Sequence, residues 1–393
     1  MGGTDFLRLT WLGRSRVRGY SAILAICSIA SLWWMFGEAM KPGGSDFIAF
    51  WSAAVMLADG AGARIYDPTA LGAVQATVDP SGIVPFVHPP PFLLAIWPLG
   101  YLSYPASWIA WSITTFALWF LATRRLFPSL AWPIAGFPGA LIAAWHAQTG
   151  FLTSAFQALI AAQLRDRPFR AGLCIGLLVI KPHLAVLIPF ALLGARMWSA
   201  IFGATLSILV IALVSWGLFG SDVWLAYPSS WGVSKTLMDI ADDVFFLRQV
   251  TIYAMFMAWG TPVVAAFAQI AATAGSILTV WKFWSSKAPV DAKMALLFAL
   301  TPLATPYLFS YDLPFLVVPV LWLVQHFKGA WSRPVLVGLY LSPLVCRAMA
   351  LPLSINPTPL VCIGMAVMIY RLGHPSGKAV HSQGVSEERN LNA

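Results

Sequence analysis

The sequence predicts an all-α polytopic membrane protein, and three observations predict it. First, 59% of the 393 residues are hydrophobic and 10% are charged, whereas a soluble domain carries about 25% charged residues. Second, apolar runs recur from Tyr20 almost to Tyr370, which leaves no room for a large soluble domain. Third, Lys and Arg gather in clusters between those runs, as cytoplasmic loops do. The net charge of +9 therefore reads as topology, and no nucleic-acid partner is expected.

Taken in order, the run 21–36 follows Arg14, Arg16 and Arg18 but precedes no Ala-x-Ala cleavage site, so it is an uncleaved first helix. A first outer loop, 37–104, contains the apolar stretch 47–57, interrupted by Ser52, which is expected to lie on the membrane surface as an amphipathic helix. The stretch 91–102, short and proline-flanked, is expected to be a second interfacial or re-entrant piece.

Basic clusters at 8–18, 124–125, 165–170, 196, 282–293, 328–333 and beyond 371 place an even number of crossings between neighbours. Helix pairs then turn outward at 145–150, at Lys181-Pro182-His183, at 305–312 and at 353–359. Several of these helices have only about 11–14 apolar residues, short of the roughly 20 that span a bilayer. Broken or tilted helices around a wet cavity are expected, since irregular backbone is tolerated there. The count is about twelve transmembrane helices, with both termini cytoplasmic.

A second outer loop, 220–260, carries Trp224, Tyr227, Trp231, Lys235, Asp239, Asp242, Asp243 and Arg248, and its apolar end, 244–259, with Arg248 and Gln249 inside it, is expected to be re-entrant rather than spanning. Residues 1–372 make a single transmembrane domain, and 373–393 a disordered cytoplasmic tail. Cys27, Cys174, Cys346 and Cys362 all sit in apolar runs and read as packing residues.

The charge map puts Asp46, His88, His146, Gln148, Lys181, His183, Arg248 and Asp312 on the outer side. A carboxylate at a lipid boundary is costly and is usually there for function. Asp46, at the mouth of the bundle in Gly43-Gly44-Ser45-Asp46-Phe47, is the candidate catalytic base for chemistry on a lipid-linked substrate, with His88 braced downstream by three prolines. Lys181 either snorkels to headgroups or holds a phosphate in the outer cavity. Asp312 either caps the helix that follows it or belongs to the site. Each histidine reads equally as a capped helix end.

There is no glycine-rich phosphate loop, GxSxG, HExxH or His/Cys metal set. Asp46 has no carboxylate beside it, so a site without metal or cofactor is expected. A transporter or flippase is the competing class. It fits less well, because the polar residues lie on one side and no internal repeat is evident.

Six elements carry a family resemblance over 45–322. They are Ser45-Asp46-Phe47 with Phe50-Trp51, His88-Pro-Pro-Pro-Phe-Leu-Leu94, Gln148-Thr-Gly150-Phe-Leu-Thr153, Lys181-Pro-His183, Phe219-Gly-Ser-Asp-Val-Trp224, and Thr305-Pro-Tyr307 leading to Tyr311-Asp312-Leu313. In their order and spacing the chain resembles the polyprenol-phosphate-sugar-dependent glycosyltransferases of family 87, in the GT-C superfamily, related to bacterial phosphatidylinositol-mannoside mannosyltransferases. It departs at His146-Ala-Gln148-Thr149, where the family often has Gly-Gln-Asn, at Lys181-Pro-His183, often Lys-Pro-Gln, and at His88, commonly Tyr. These departures bear on the substrate pocket.

The resemblance implies a GT-C-like bundle in a bacterial inner membrane with a periplasm-facing site. The donor would be a sugar, most often mannose, on a polyprenyl phosphate, and the acceptor a glycolipid or polysaccharide. Asp46 would act as base in an inverting displacement. Lys181 and Arg248 would hold the phosphate with help from His183 or His88, and Gln148, His146 and Asp312 would line the substrate site. Trp51, Trp224, Tyr227 and Trp231 would contact sugar or lipid, although interfacial anchoring explains such aromatics as well.

Overall fold

The structure, a computed structural model, describes residues 3–374. Every regular element in it is helical, and the one pairing of extended backbone among the described residues is an isolated antiparallel bridge between Gln249 and Phe309. The tail expected beyond 373 lies, from 375 onward, outside the described residues.

The bundle begins with α1 (Arg14–Ala39), continues through α2 (Ile48–Ala58) in the first outer loop, and enters α3 (Tyr104–Leu126). Two short pairs follow, α4 (Pro138–His146) with α5 (Gly150–Gln163), and α6 (Pro168–Gly176) with α7 (Ile188–Gly194). Then come α8 (Trp198–Phe219) and the second outer loop with α9 (Ser229–Asp239) and α10 (Asp243–Leu247). Next are α11 (Pro262–Trp284), α12 (Val290–Ala304), α13 (Val317–His326), α14 (Ser332–Leu353) and α15 (Thr358–Gly373).

Five helices, α1, α3, α8, α11 and α14, are long and apolar enough to cross a membrane. Their apolar side chains point outward: Trp33 is 82% exposed and Phe267 70%. Such faces are stable only against another apolar phase, which here is lipid. By contrast α12 is buried on nearly every residue from Ala292 to Ala304 and forms the centre of the bundle. A helix apolar all round and covered all round belongs in the interior.

Prolines set where the short helices start and stop. Lys181 precedes Pro182, whose ring disfavours helical backbone before it. Lys181 accordingly takes φ −148°, ψ 71°, and ends the 3₁₀ turn Leu177–Ile180 that extends α6. Thr305 before Pro306 is extended in the same way and ends α12. Both breaks fall at the outward turns that the charge spacing predicts. Glycines allow close crossings between the segments: a Cβ on Gly172 would lie 2.2 Å from the Ala200 carbonyl oxygen, so α6 and α8 meet backbone to backbone, as membrane helices with small residues do.

One expectation needs correction. The 47–57 stretch does not lie on the surface as an amphipathic helix. Eight of the eleven residues of α2 are buried, because the chain 68–102 folds back over it. Gln75 fastens that cover, its amide nitrogen donating to Ser52 Oγ (3.1 Å) and the Val84 carbonyl (2.7 Å) while its oxygen accepts from the Val84 N–H (2.9 Å). The 244–259 segment is built as two short helices. Asp242 accepts from the Phe245 N–H and starts α10, and Thr251 accepts from the Ala254 N–H and starts Ile252–Met257. Between α10 and Thr251 the chain runs out of the helix and pairs with 308–310 through the Gln249–Phe309 bridge.

One contact gives a direct test of this packing. A Cβ on Gly150 would stand 2.0 Å from the Tyr311 carbonyl oxygen. Gly150→Ala should lower the thermal midpoint of the detergent-solubilised protein, by the about 1–3 kcal/mol or more that overpacking costs. Gly338→Ala in α14, where nothing lies within 4 Å, should be neutral or mildly stabilising. Equal midpoints for the two variants would contradict the close approach.

Candidate active site

Three chain breaks meet beneath the outer loops, and a buried ion pair joins them. The Lys181 ammonium donates to Asp312 Oδ1 at 2.6 Å and to Thr149 Oγ1 at 3.2 Å. The side chains of Lys181 and Asp312 are 7% and 0% exposed. Asp312 sits in the 3₁₀ turn Ser310–Leu316 and also accepts from the Phe309 N–H through Oδ2 (3.3 Å). The Lys181 ammonium lies 5.3 Å from the Tyr311 ring centroid, a cation–π distance. A buried carboxylate and a buried ammonium are tolerated because each has its partner.

On the other side of Tyr311 a cleft of about 150 Å³ opens, lined by Asp46, His146, Phe245, Arg248, Phe309, Ser310, Tyr311 and Arg347. His146 stands against the Tyr311 ring (5.3 Å), and Phe309 stacks on it (5.1 Å). Arg248 is aimed here by the extended strip after α10. Ser310 N–H donates to the Arg248 carbonyl (3.1 Å), Val250 N–H to the Leu308 carbonyl (2.8 Å), and Asn356 Nδ2 to the Leu247 and Gln249 carbonyls.

Asp46 reaches the cleft from a loop pinned at both ends. Phe47 is fully buried against Tyr104 and Trp111. Upstream, Asp79 Oδ2 accepts from the Gly43 N–H at 2.7 Å, while Oδ1 accepts from the Ser81 N–H and hydroxyl. Burial pushes the Asp79 carboxyl up, but those hydrogen bonds outweigh it and hold Asp79 below the usual carboxylate range. The Asp46 side chain is reached by solvent through the cleft but has protein on its other sides. That surrounding protein pushes its carboxyl above the usual range, and the Arg248 guanidinium pulls it partly back.

The expected site residues therefore separate into groups. Asp46, Arg248 and His146 share the cleft, and Lys181 with Asp312 forms the buried pair beside it. On the Lys181 side, His183 meets the Tyr307 ring edge-on (6.0 Å), and its buried Nε2 has no hydrogen-bond partner among the described residues. His88 packs among Phe50, Phe86 and Phe92. Burial, then Lys181 and His183, push its imidazole well below the ordinary histidine range, so it is neutral. Gln148 is buried, and its backbone carbonyl accepts from Trp111 Nε1 (3.4 Å).

Trp51 lies in the core of the outer loop, donating to the Leu102 carbonyl (3.0 Å), away from the cleft. Tyr227 contacts Tyr66 (5.5 Å) and Trp231 (5.9 Å) on the second loop, where Trp231 is 62% exposed and Trp224 is partly buried. Sequence reasoning missed Arg347 of α14. The signal was present, since a lone arginine inside the apolar run 335–351 satisfies the same membrane-charge rule that singles out Asp46. Among the described residues no group of three His, Cys, Asp or Glu is placed to hold a metal ion.

Residues 86–306, more than half of the chain, match the family model described as glycosyltransferase family 87. No curated protein and no solved structure matches the chain.

The buried pair makes its own prediction. Lys181→Met should destabilise the protein by about 3–5 kcal/mol, because it strands the Asp312 charge in the interior. Adding Asp312→Leu should recover most of that loss in thermal unfolding. A double variant as unstable as the single one would show that the two charges do not act as a closed unit.

Proposed function

The chain belongs to glycosyltransferase family 87, and on that premise we propose that it transfers a sugar, mannose as the first candidate, from a polyprenyl phosphate to a hydroxyl of a glycolipid or polysaccharide. That it is a membrane glycosyltransferase follows from the family and the five long apolar helices. The transport alternative gives way to the family match. The observation that carries the finer reading is that Asp46 and Arg248, which no sequence proximity joins, line one cleft.

The chemistry follows from those groups. The Asp46 carboxylate takes the proton of the acceptor hydroxyl as its oxygen attacks the anomeric carbon. The bond from that carbon to the phosphate oxygen breaks, and polyprenyl phosphate leaves with the electron pair. A phosphate needs no strong general acid to depart. It needs positive charge, which Arg248 supplies in a site partly screened from water. A raised carboxyl suits a base, because it accepts a proton more readily than an ordinary carboxylate.

The reaction inverts configuration in this reading. Asp312, the other carboxylate nearby, is committed to Lys181 and does not line the cleft, so no second carboxylate is available as nucleophile. Lys181 then acts by holding the cleft floor rather than by gripping phosphate. His183, with its unpartnered Nε2, and His88 and Gln148 beside it, suit sugar hydroxyls. Trp224 and the Tyr227–Trp231 ring pair on the second loop suit contact with lipid or sugar.

The site faces the periplasm of a bacterial inner membrane, and residues 1–372 act as one transmembrane domain. About twelve crossings, broken ones included, leave both termini in the cytoplasm. The basic clusters between helices and the short apolar helices beside the five long ones support this topology.

Transfer of radiolabelled mannose from polyprenyl-phosphate mannose into membrane glycolipids tests the reading. Asp46→Asn, expressed at the wild-type level, should lose at least 10²-fold of the activity, the lower bound of a general-base contribution. The acid limb of kcat/KM in the wild type should lie above the ordinary aspartate value of about 3.9, with activity falling as pH drops through it. An Asp46→Asn enzyme of wild-type activity would place the base elsewhere.

A further inference from the structure

The cations around the site are unequally committed. The Lys181 ammonium is 2.6 Å from Asp312, so its charge is already matched. Arg248 and Arg347 are different. Neither forms an ion pair with a carboxylate within 4.0 Å among the described residues, yet both line the cleft that holds Asp46. They come from separate elements, the strip after α10 and the long helix α14, and like charges brought into one cleft repel. Arg347 is also costly on its own, since an arginine within a membrane helix opposes insertion. Even with Asp46 ionised, two guanidinium charges stand against one carboxylate. The missing partner is an anion.

We propose that Arg248 and Arg347 form a two-guanidinium seat for a phosphate monoester or diester carried on a lipid, with Arg347 as a phosphate-binding residue. This rests on the glycosyl-transfer reading above and deepens it. Guanidinium forks match phosphate oxygens in pairs, which an ammonium cannot do. The cleft, at about 150 Å³, is smaller than the about 300–1,000 Å³ of pockets that enclose a whole small molecule. It therefore suits a head group whose bulk lies outside, and its apolar wall of Phe245 and Phe309, 5.4 Å apart, suits the carbon chain next to that head. Arg347 lies beyond the 86–306 family match, so the match gives it no role.

The test uses the full chain in lipid nanodiscs and measures binding of three probes, farnesyl monophosphate, inorganic phosphate and farnesol. Arg347→Gln should weaken farnesyl monophosphate binding at least tenfold and raise the donor KM more than it lowers kcat. Arg347→Lys, which keeps the charge, should recover only part of the affinity, and Arg125→Gln, outside the cleft, should change nothing. Farnesol should bind weakly to every form. Thermal midpoints of the variants separate lost binding from lost folding, and the lysine variant keeps the test open should the glutamine variant fail to fold.

Farnesyl monophosphate binding unchanged in both Arg347 variants would overturn the inference, as would equal affinity for farnesol and farnesyl monophosphate. Inorganic phosphate bound as tightly as the lipid phosphate, and equally sensitive to Arg347, would overturn its assignment to a lipid head. Failure of the two readings is distinguishable. Sugar transfer with Arg347-independent binding sinks the phosphate seat alone. Arg347-dependent binding with no sugar transfer from any polyprenyl-phosphate sugar sinks the transfer reading alone.

Discussion

A buried ammonium and a buried carboxylate, Lys181 and Asp312, hold this structure's working end together. They are 131 residues apart in sequence and 2.6 Å apart in space. Each sits at a place where proline has stopped or distorted a helix, and each leaves backbone groups that a membrane interior would not tolerate uncovered. The pair, with Thr149 as a third member, draws the breaks after α4, after α6 and after α12 to one point. Without it there is no evident reason for three short helices to end together, and the cleft wall built from Phe309, Ser310 and Tyr311 would have no anchor.

The same pair determines the electrostatics next door. Because Asp312 consumes the charge of Lys181, the cleft on the far side of Tyr311 is governed by Asp46, Arg248 and Arg347. This divides the polar residues into a paired, buried set and a set that lines the cleft, separated by the Tyr311 ring. The outer loops complete the division. Asp79 and Gln75 turn the first loop into a small folded cap that presents Asp46, and the strip 249–251, paired with 308–310, turns the second loop into a mount for Arg248. Asp46 and Arg248 thus reach one cleft from independent loops, and in the proposed reaction they serve as base and cation.

Much of this was legible in the sequence, and the rest was not for physical reasons. Charge spacing and prolines place the outward turns at Lys181, at 305–312 and after His146, because both signals are local. The membrane cost of charge singles out Asp46, and applied evenly it would have found Arg347 as well. The coupling of Lys181 to Asp312 is tertiary and has no local signature, so the sequence left Lys181 between snorkelling and phosphate binding, and Asp312 between a helix cap and a site residue. The burial of α2 was missed because its cover, 68–102, is a set of short helices and helical turns, Pro68–Gln75 and 90–101, joined by loop and fastened by Gln75 and Asp79, too short to show a periodic apolar face. The break within 244–259 was signalled by two N-cap residues, Asp242 and Thr251, which the apolar composition of that segment masked.

The most direct test of the central claim, that the Asp46–Arg248–Arg347 cleft is where the donor meets its base, is a structure of the protein in nanodiscs with a non-transferable polyprenyl-phosphonate sugar bound. The account predicts the phosphorus between the Arg248 and Arg347 side chains. It also predicts that the face of the anomeric carbon opposite the phosphonate is open to a hydroxyl within about 3 Å of the Asp46 carboxylate. A ligand seated against Lys181 with the Asp312 pair broken, or one whose anomeric carbon lies out of reach of Asp46, would contradict it.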